Sequence, residues 1–174
     1  RRPLLRRLQV DRLLHHRPLR RATAETIRDS LLAIAGRLDS TVGGPSVPPY
    51  LSANVSANKP VHIPKSGPLD SDGRRSIYIL VRRNFITPFL ETFDFPNQGA
   101  SVGQRDVTLG PAQALAMLNS PFVHQQARRL GLIIAGWSEL DDDARIERLF
   151  LIALTRRPNA SELRSIHTLS LIHI

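Results

Sequence analysis

The sequence has no cysteine, one methionine, one tryptophan and two tyrosines. Without cysteine there can be no disulfide, thiolate metal site, cysteine nucleophile or c-type haem attachment within these 174 residues. Long hydrophobic runs are also missing. The longest, Leu130 to Trp137, has eight residues including two glycines, whereas a helix needs about 20 to cross a bilayer. The Arg-rich start lacks the apolar stretch of a signal peptide, and with no initial methionine it is expected to be a cut edge. Gly-x-Ser-x-Gly, Gly-x-x-x-x-Gly-Lys, dinucleotide-fingerprint and His-Glu-x-x-His patterns are absent, which leaves nucleophilic catalysis, nucleotide binding and a zinc site without support.

Charge is present but unevenly placed. The formal net charge is +9, yet eight arginines against Asp11 alone fall within residues 1–21. The rest of the chain is close to balanced, so nucleic-acid binding is not expected. The arm Arg1, Arg2, Arg6, Arg7, Arg12, Arg17, Arg20 and Arg21 is interspersed with leucines, as in a packed helix from an upstream region with its Arg face to solvent. Residues 1–22 are therefore assigned to such a region, residues 23–170 to a single helical domain incomplete at its C-terminus, and residues 171–174 to a truncation edge or scar. Hydrophobic side chains make up 41% of the chain, enough for one ordinary core.

The expected fold is mainly α: an irregular helical domain with a long Pro/Gly/Ser-rich loop and at most a short strand. A first helix is predicted from Ala24 to Leu38, capped by Thr23, with Ile27, Leu31, Ile34 and Leu38 on one face. Ser40 to Arg75 carries six prolines and four glycines without a sustained period, and reads as a surface excursion. Ser76–Val81 fits a strand or a helix, with Ser76 as a possible cap favouring helix. Thr87-Pro88 should open a short helix that places Phe89 and Phe93 on one face of the core. Pro111 and Pro121 should start two helices forming a hairpin, with Met117 packed in the core. Asp141–Asp143 should start the next helix, with Arg156 and Arg157 complementing its C-terminal end. Asn159 with Glu162 should form a capping box for the last.

Several stretches carry a collective resemblance: Arg12–His16, Ala24–Ala33, Gly36–Asp39 with Gly43–Pro45, Gly73–Tyr78, Val81–Phe85, Leu90–Pro96, and Pro111–Leu115 with Leu118–Val123. In this order and spacing, over about residues 12 to 165, the chain resembles the PSD-type domain of unknown function found near the C-terminus of large secreted planctomycete proteins, often beside cytochrome c-like domains. The resemblance implies an extracytoplasmic, periplasmic location. It supplies no catalytic residues, and it places any haem in another domain of the same protein. Leu171–Ile174 depart from the family's continuing polar helix.

The densest polar cluster in the sequence is Arg74, Arg75, Arg82, Arg83, Glu91, Asp94 and Arg105. Glu91 and Asp94 are three residues apart and would share a helix face, so they are the candidate acid/base pair if the chain is part of an enzyme acting on an anionic polysaccharide. The competing reading is a structural network in which the arginines neutralise both carboxylates. His15, His16, His62, His124, His167 and His173 lack metal-ligand spacing. No metal or cofactor is expected in these residues. The leading expectation is a non-catalytic interaction or structural module whose partners are other domains of its own chain, an anionic polysaccharide or a protein, with the 40–75 loop and the Arg/Glu/Asp cluster as its contact surface.

Overall fold

A computed structural model describes residues 20–51, 65–82, 85–96, 99 and 103–172. The architecture is mainly helical, as expected, and the described residues contain no sheet. The Arg-rich start up to residue 19, Arg83, and His15, His16, His62 and His173 lie outside the described residues.

Helix α1 spans Ala24–Ile34, and its Thr23 cap accepts the Thr26 N–H at 3.3 Å. The helix ends four residues before the expected Leu38, because Gly36 adopts the left-handed conformation (φ +63°). The Arg37 and Leu38 N–H groups then both donate back to the Leu32 carbonyl, at 2.8 and 3.2 Å. Such a reversal closes the helix on its own carbonyls and needs a residue without a Cβ penalty. The deepest face of α1 is Ala24, Arg28 and Leu32, four residues apart in turn. Ile27, Leu31 and Leu38 pack against the flanks of the same core.

The described stems of the excursion after α1, residues 39–51 and 65–75, are more ordered than their composition suggests. Asp39 N–H donates to the Gly73 carbonyl at 2.8 Å, Val47 N–H to Tyr78 O at 2.8 Å, and Leu80 N–H to Val47 O at 2.8 Å. Two isolated parallel bridges, Asp39 with Arg74 and Val47 with Ile79, thus fasten both stems of the loop. Leu51, Asp70, Ser71 and Gly73 are buried within those stems. A Cβ on Gly73 would sit 2.2 Å from the Arg37 carbonyl oxygen, so the close approach of the stems requires glycine. Ser76–Val81 is neither of the regular alternatives: Ser76–Tyr78 forms one 3-10 turn, after which Ile79 is extended against Val47. A single turn suits this position because Arg75 O and Ser76 O are closed locally, while the next residue must pair with the loop.

Helix α2, Pro88–Thr92, begins where the Thr-Pro pair predicts, but the Thr87 hydroxyl makes no capping bond. The aromatic stripe is core: Phe89 lies 4.9 Å from Phe93 and 5.1 Å from Phe122 between ring centroids, both tilted. Around them close Ala24, Leu32, Ile79 and Leu90. Helices α3, Pro111–Asn119, and α4, Pro121–Ala135, are in contact and separated by Ser120 alone. Met117 is 38% exposed rather than a core residue; the buried side of the pair comes from Phe122 and Gln126 on α4.

Helix α5, Asp142–Leu154, is capped by Asp141, which accepts the Ala144 N–H at 2.8 Å. Helix α6, Ala160–Ile172, begins with the anticipated capping box: Asn159 Oδ1 accepts the Glu162 N–H at 2.9 Å and Glu162 Oε2 accepts the Asn159 N–H at 2.9 Å. Arg156 and Arg157 serve a different purpose from the one expected. Arg156 donates to both oxygens of Glu162, at 2.8 and 2.6 Å, and Arg157 Nε lies 2.7 Å from Glu147, so they clamp the turn between the helices. Those bonds, Arg156 first and the Asn159 N–H second, pull the Glu162 carboxyl down to about 2. A depressed carboxyl stabilises the fold above its unfolded value and loses that contribution as pH falls through the folded one. Between pH 4.5 and 2 the α6 start should therefore loosen in the native chain, and Glu162→Gln should abolish that added acid sensitivity, as read by amide exchange at residues 160–163.

Candidate functional site

The six described members of the seven-residue cluster, all but Arg83, do not converge. Arg74 turns inward onto the loop: its guanidinium stacks 4.0 Å over the Tyr78 ring and donates to the Thr41 and Gly43 carbonyls at 2.9 and 2.6 Å. It also lies 3.5 Å from Asp39, and Tyr78 Oη in turn accepts the Gly43 N–H at 2.7 Å. Arg105 forms both its bonds with Glu25 at the start of α1, at 2.8 and 2.9 Å. Burial pushes the Glu25 carboxyl up, but hydrogen bonds from its own N–H, Arg105 and Thr23 outweigh this and hold it below its ordinary value. Arg75 and Arg82 are exposed.

The two candidate carboxylates occupy contrasting surroundings. Glu91 is exposed on α2 and has no ion-pair partner among the described residues. Asp94 follows α2 in a left-handed conformation (φ +63°), which turns it off the helix face it was expected to share with Glu91. It accepts the Thr108 N–H at 2.9 Å and the Thr108 hydroxyl at 2.7 Å, and pairs with Arg21 at 2.6 Å. Arg21 also donates to the Thr108 carbonyl. Thr108 first and Arg21 second hold the Asp94 carboxyl below its ordinary value. Its neutralising arginine is thus Arg21, which the sequence cluster did not include. A carboxyl held low in this way carries no proton to donate near neutral pH.

The family model described as PSD1, protein of unknown function (DUF1553), matches residues 4–170. The chain belongs to this family. No curated protein and no solved structure matches it.

The most constrained polar group in this PSD1-family chain is one that sequence reasoning did not select. Arg28 is 1% exposed, and its guanidinium donates to the Asp70 carbonyl at 2.7 Å, the Arg74 carbonyl at 3.0 Å and Ser76 Oγ at 3.2 Å. Asp29 lies 3.3 Å away and also accepts the Ser76 N–H and hydroxyl at 2.8 and 2.7 Å. Burial lowers the Arg28 pKa, with Asp29 and Asp70 opposing the shift. One signal was available: Arg28 sits four residues from both Ala24 and Leu32 on a small apolar face. Among the histidines, the His124 Nε2 lies 2.5 Å from the Leu118 carbonyl and that of His167 2.6 Å from Asp143, each in a one-to-one contact. The described residues contain no group of three or more potential metal ligands.

Two outcomes follow from these geometries. Arg28→Ala takes the donor from the Arg74 carbonyl, one of two donors from the Asp70 carbonyl and the cation from beside Asp29, and should lower stability by about 3 kcal/mol in urea unfolding. In a carboxyl-detected NMR titration, Asp94 should show its midpoint below 3.8, moving up towards that value in Arg21→Ala.

Proposed function

We propose that this chain is a non-catalytic interaction module of an exported, periplasmic multidomain protein, and that it docks an anionic partner on the face of the 40–82 loop. One observation carries the reading: a side-chain-bearing surface held rigid from beneath. Arg74, Tyr78 and the two backbone bridges fasten the described stems of the loop, while Arg75, Arg82, Val42, Ile77 and Val81 stand exposed on them, Val42 at 83% and Ile77 at 75%. Exposed branched side chains beside arginines that have no ion-pair partner among the described residues suit a partner that offers negative charge and some apolar surface. Leu151, Ile152 and Leu154, all close to half exposed on α5, support a second contact with other domains of the same protein. Any haem chemistry belongs to those domains.

Against the alternative of an enzyme cleaving an anionic polysaccharide stands the state of its two carboxylates. Asp94 is hydrogen-bonded and ionised, and Glu91 lies in open solvent. The Asp94 carboxyl, held low by Thr108 and Arg21, lacks the raised pKa that a general acid requires.

The test is retention on immobilised alginate against neutral dextran. The native chain should bind alginate and release no oligosaccharide. Arg75→Glu combined with Arg82→Glu should weaken retention about tenfold with an unchanged melting temperature, since both side chains are exposed. Equal retention of the variant, or release of sugar fragments by the native chain, would count against the reading.

A further inference from the structure

Where the starts of α2 and α4 meet the side of α1, the fold leaves a cavity of about 130 Å³, lined by Arg28, Tyr50, Leu69, Phe89, Ser120 and Phe122 among others. None of the exposed loop residues of the docking face lines it. Its one charged side chain is the buried Arg28, whose guanidinium carbon sits 5.5 Å from the centre of the Phe122 ring. A guanidinium has five N–H donors. Nη1 directs its two at the Arg74 carbonyl, Ser76 Oγ and Asp29, and Nη2 has a single acceptor, the Asp70 carbonyl. Nε–H and one N–H of Nη2 therefore have no acceptor among the described residues. The one carboxylate in contact, Asp29, lies 3.3 Å away and is shared with the N–H and hydroxyl of Ser76.

We infer that this cavity binds a small carboxylate built on one aromatic ring, with the ring among Tyr50, Phe89 and Phe122 and the carboxylate on the Nε–Nη2 edge of Arg28. Size supports a single ring, since an apolar cavity of about 150 Å³ holds benzene. The carboxylate follows from the unused donors. Nε–H and Nη2–H make up one edge of the guanidinium fork, which a carboxylate meets with two parallel bonds. Tyr50 and Ser120, also on the wall, carry hydroxyls that make no hydrogen bond among the described residues and can donate as well. No acidic side chain lines the space, so an aromatic cation finds no countercharge there. Burial works against the charge of Arg28, and an anion on its open edge offsets that.

Benzoate is the simplest probe, with toluene lacking the charge and benzylamine reversing it. In NMR titrations of the whole chain, benzoate should shift Tyr50, Ser120 and Phe122 saturably and bind about tenfold more tightly than toluene, the preference that a charge-assisted hydrogen bond confers. Benzylamine should bind more weakly than toluene. The Arg28 Nε–H resonance should move downfield with benzoate and not with toluene, and NOEs should connect the benzoate ring to those of Tyr50, Phe89 and Phe122. Arg75→Glu combined with Arg82→Glu should leave the benzoate affinity unchanged, which separates this site from the docking face. The assignment is overturned by non-saturable benzoate shifts, by an unmoved Arg28 Nε–H, by absence of the NOEs, by toluene or benzylamine binding as tightly as benzoate, or by lost affinity in the Arg75 and Arg82 variant.

Discussion

One buried guanidinium organises this fold. The Arg28 side chain leaves α1 towards the protein interior and ends among carbonyls of a segment more than forty residues away in sequence, at Asp70 and Arg74. The desolvation of such a cation is expensive, and its burial is tolerated because each engaged donor finds an oxygen and Asp29 stands beside it. The same oxygens gain as much as the cation does. Arg74 O belongs to loop backbone with no helix or sheet partner, and Asp70 O has only the Gly73 N–H of a single 3-10 turn besides. A buried carbonyl without a donor carries its own penalty. Arg28 thus does for the loop what a neighbouring strand would do in a sheet. Arg37 adds a second tie from the end of α1, 2.9 Å from Asp70.

That arrangement explains which parts of the structure were legible in the sequence. Helices written in local chemistry were readable: Thr23, Asp141, the Asn159 and Glu162 box, and the prolines at 88, 111 and 121 all mark helix starts where they stand. The Phe-rich stripe was readable as core because its spacing and its chemistry agree. The loop stems were not. Their order comes from side chains far away in sequence, and their own composition of proline, glycine and serine is shared with irregular surface segments. Met117 misled for the opposite reason: an apolar residue on an apolar helix says nothing about whether anything lies opposite it.

The candidate site shows the same division. Proximity in sequence suggested that Arg74, Arg75, Arg82, Arg83 and Arg105 would surround Glu91 and Asp94, but Arg74, Arg105 and Asp94 are each claimed by a local need, and Arg75, Arg82 and Glu91 are exposed. Arg74 caps its own loop, Arg105 ties the 103–110 segment to Glu25 on α1, and Asp94 is pinned where the chain leaves α2. The positive φ at Asp94 decided the outcome, because one left-handed residue after α2 redirects the carboxylate towards Thr108 and Arg21. Short polar side chains tolerate that conformation and bond locally within it, so an Asp just past a helix end is poor evidence for a residue on the helix face.

The interior and the exterior of the loop are consequently two aspects of one constraint. Arg28 and Arg37 hold Asp70 from below, Arg74 and Tyr78 hold Thr41 and Gly43 from the side, and the backbone bridges align Val47 with Ile79. Residues that are not used in this fastening, Val42, Arg75, Ile77 and Arg82, are left outside on a scaffold whose backbone is already fixed. A surface of this kind loses little conformational entropy when it meets a partner, which is the main cost that a loop otherwise imposes on binding. Under the proposed docking role the buried arginine would serve recognition as well as stability: the order that it imposes on the stems is what would allow exposed side chains on a proline- and glycine-rich segment to act as a defined contact face.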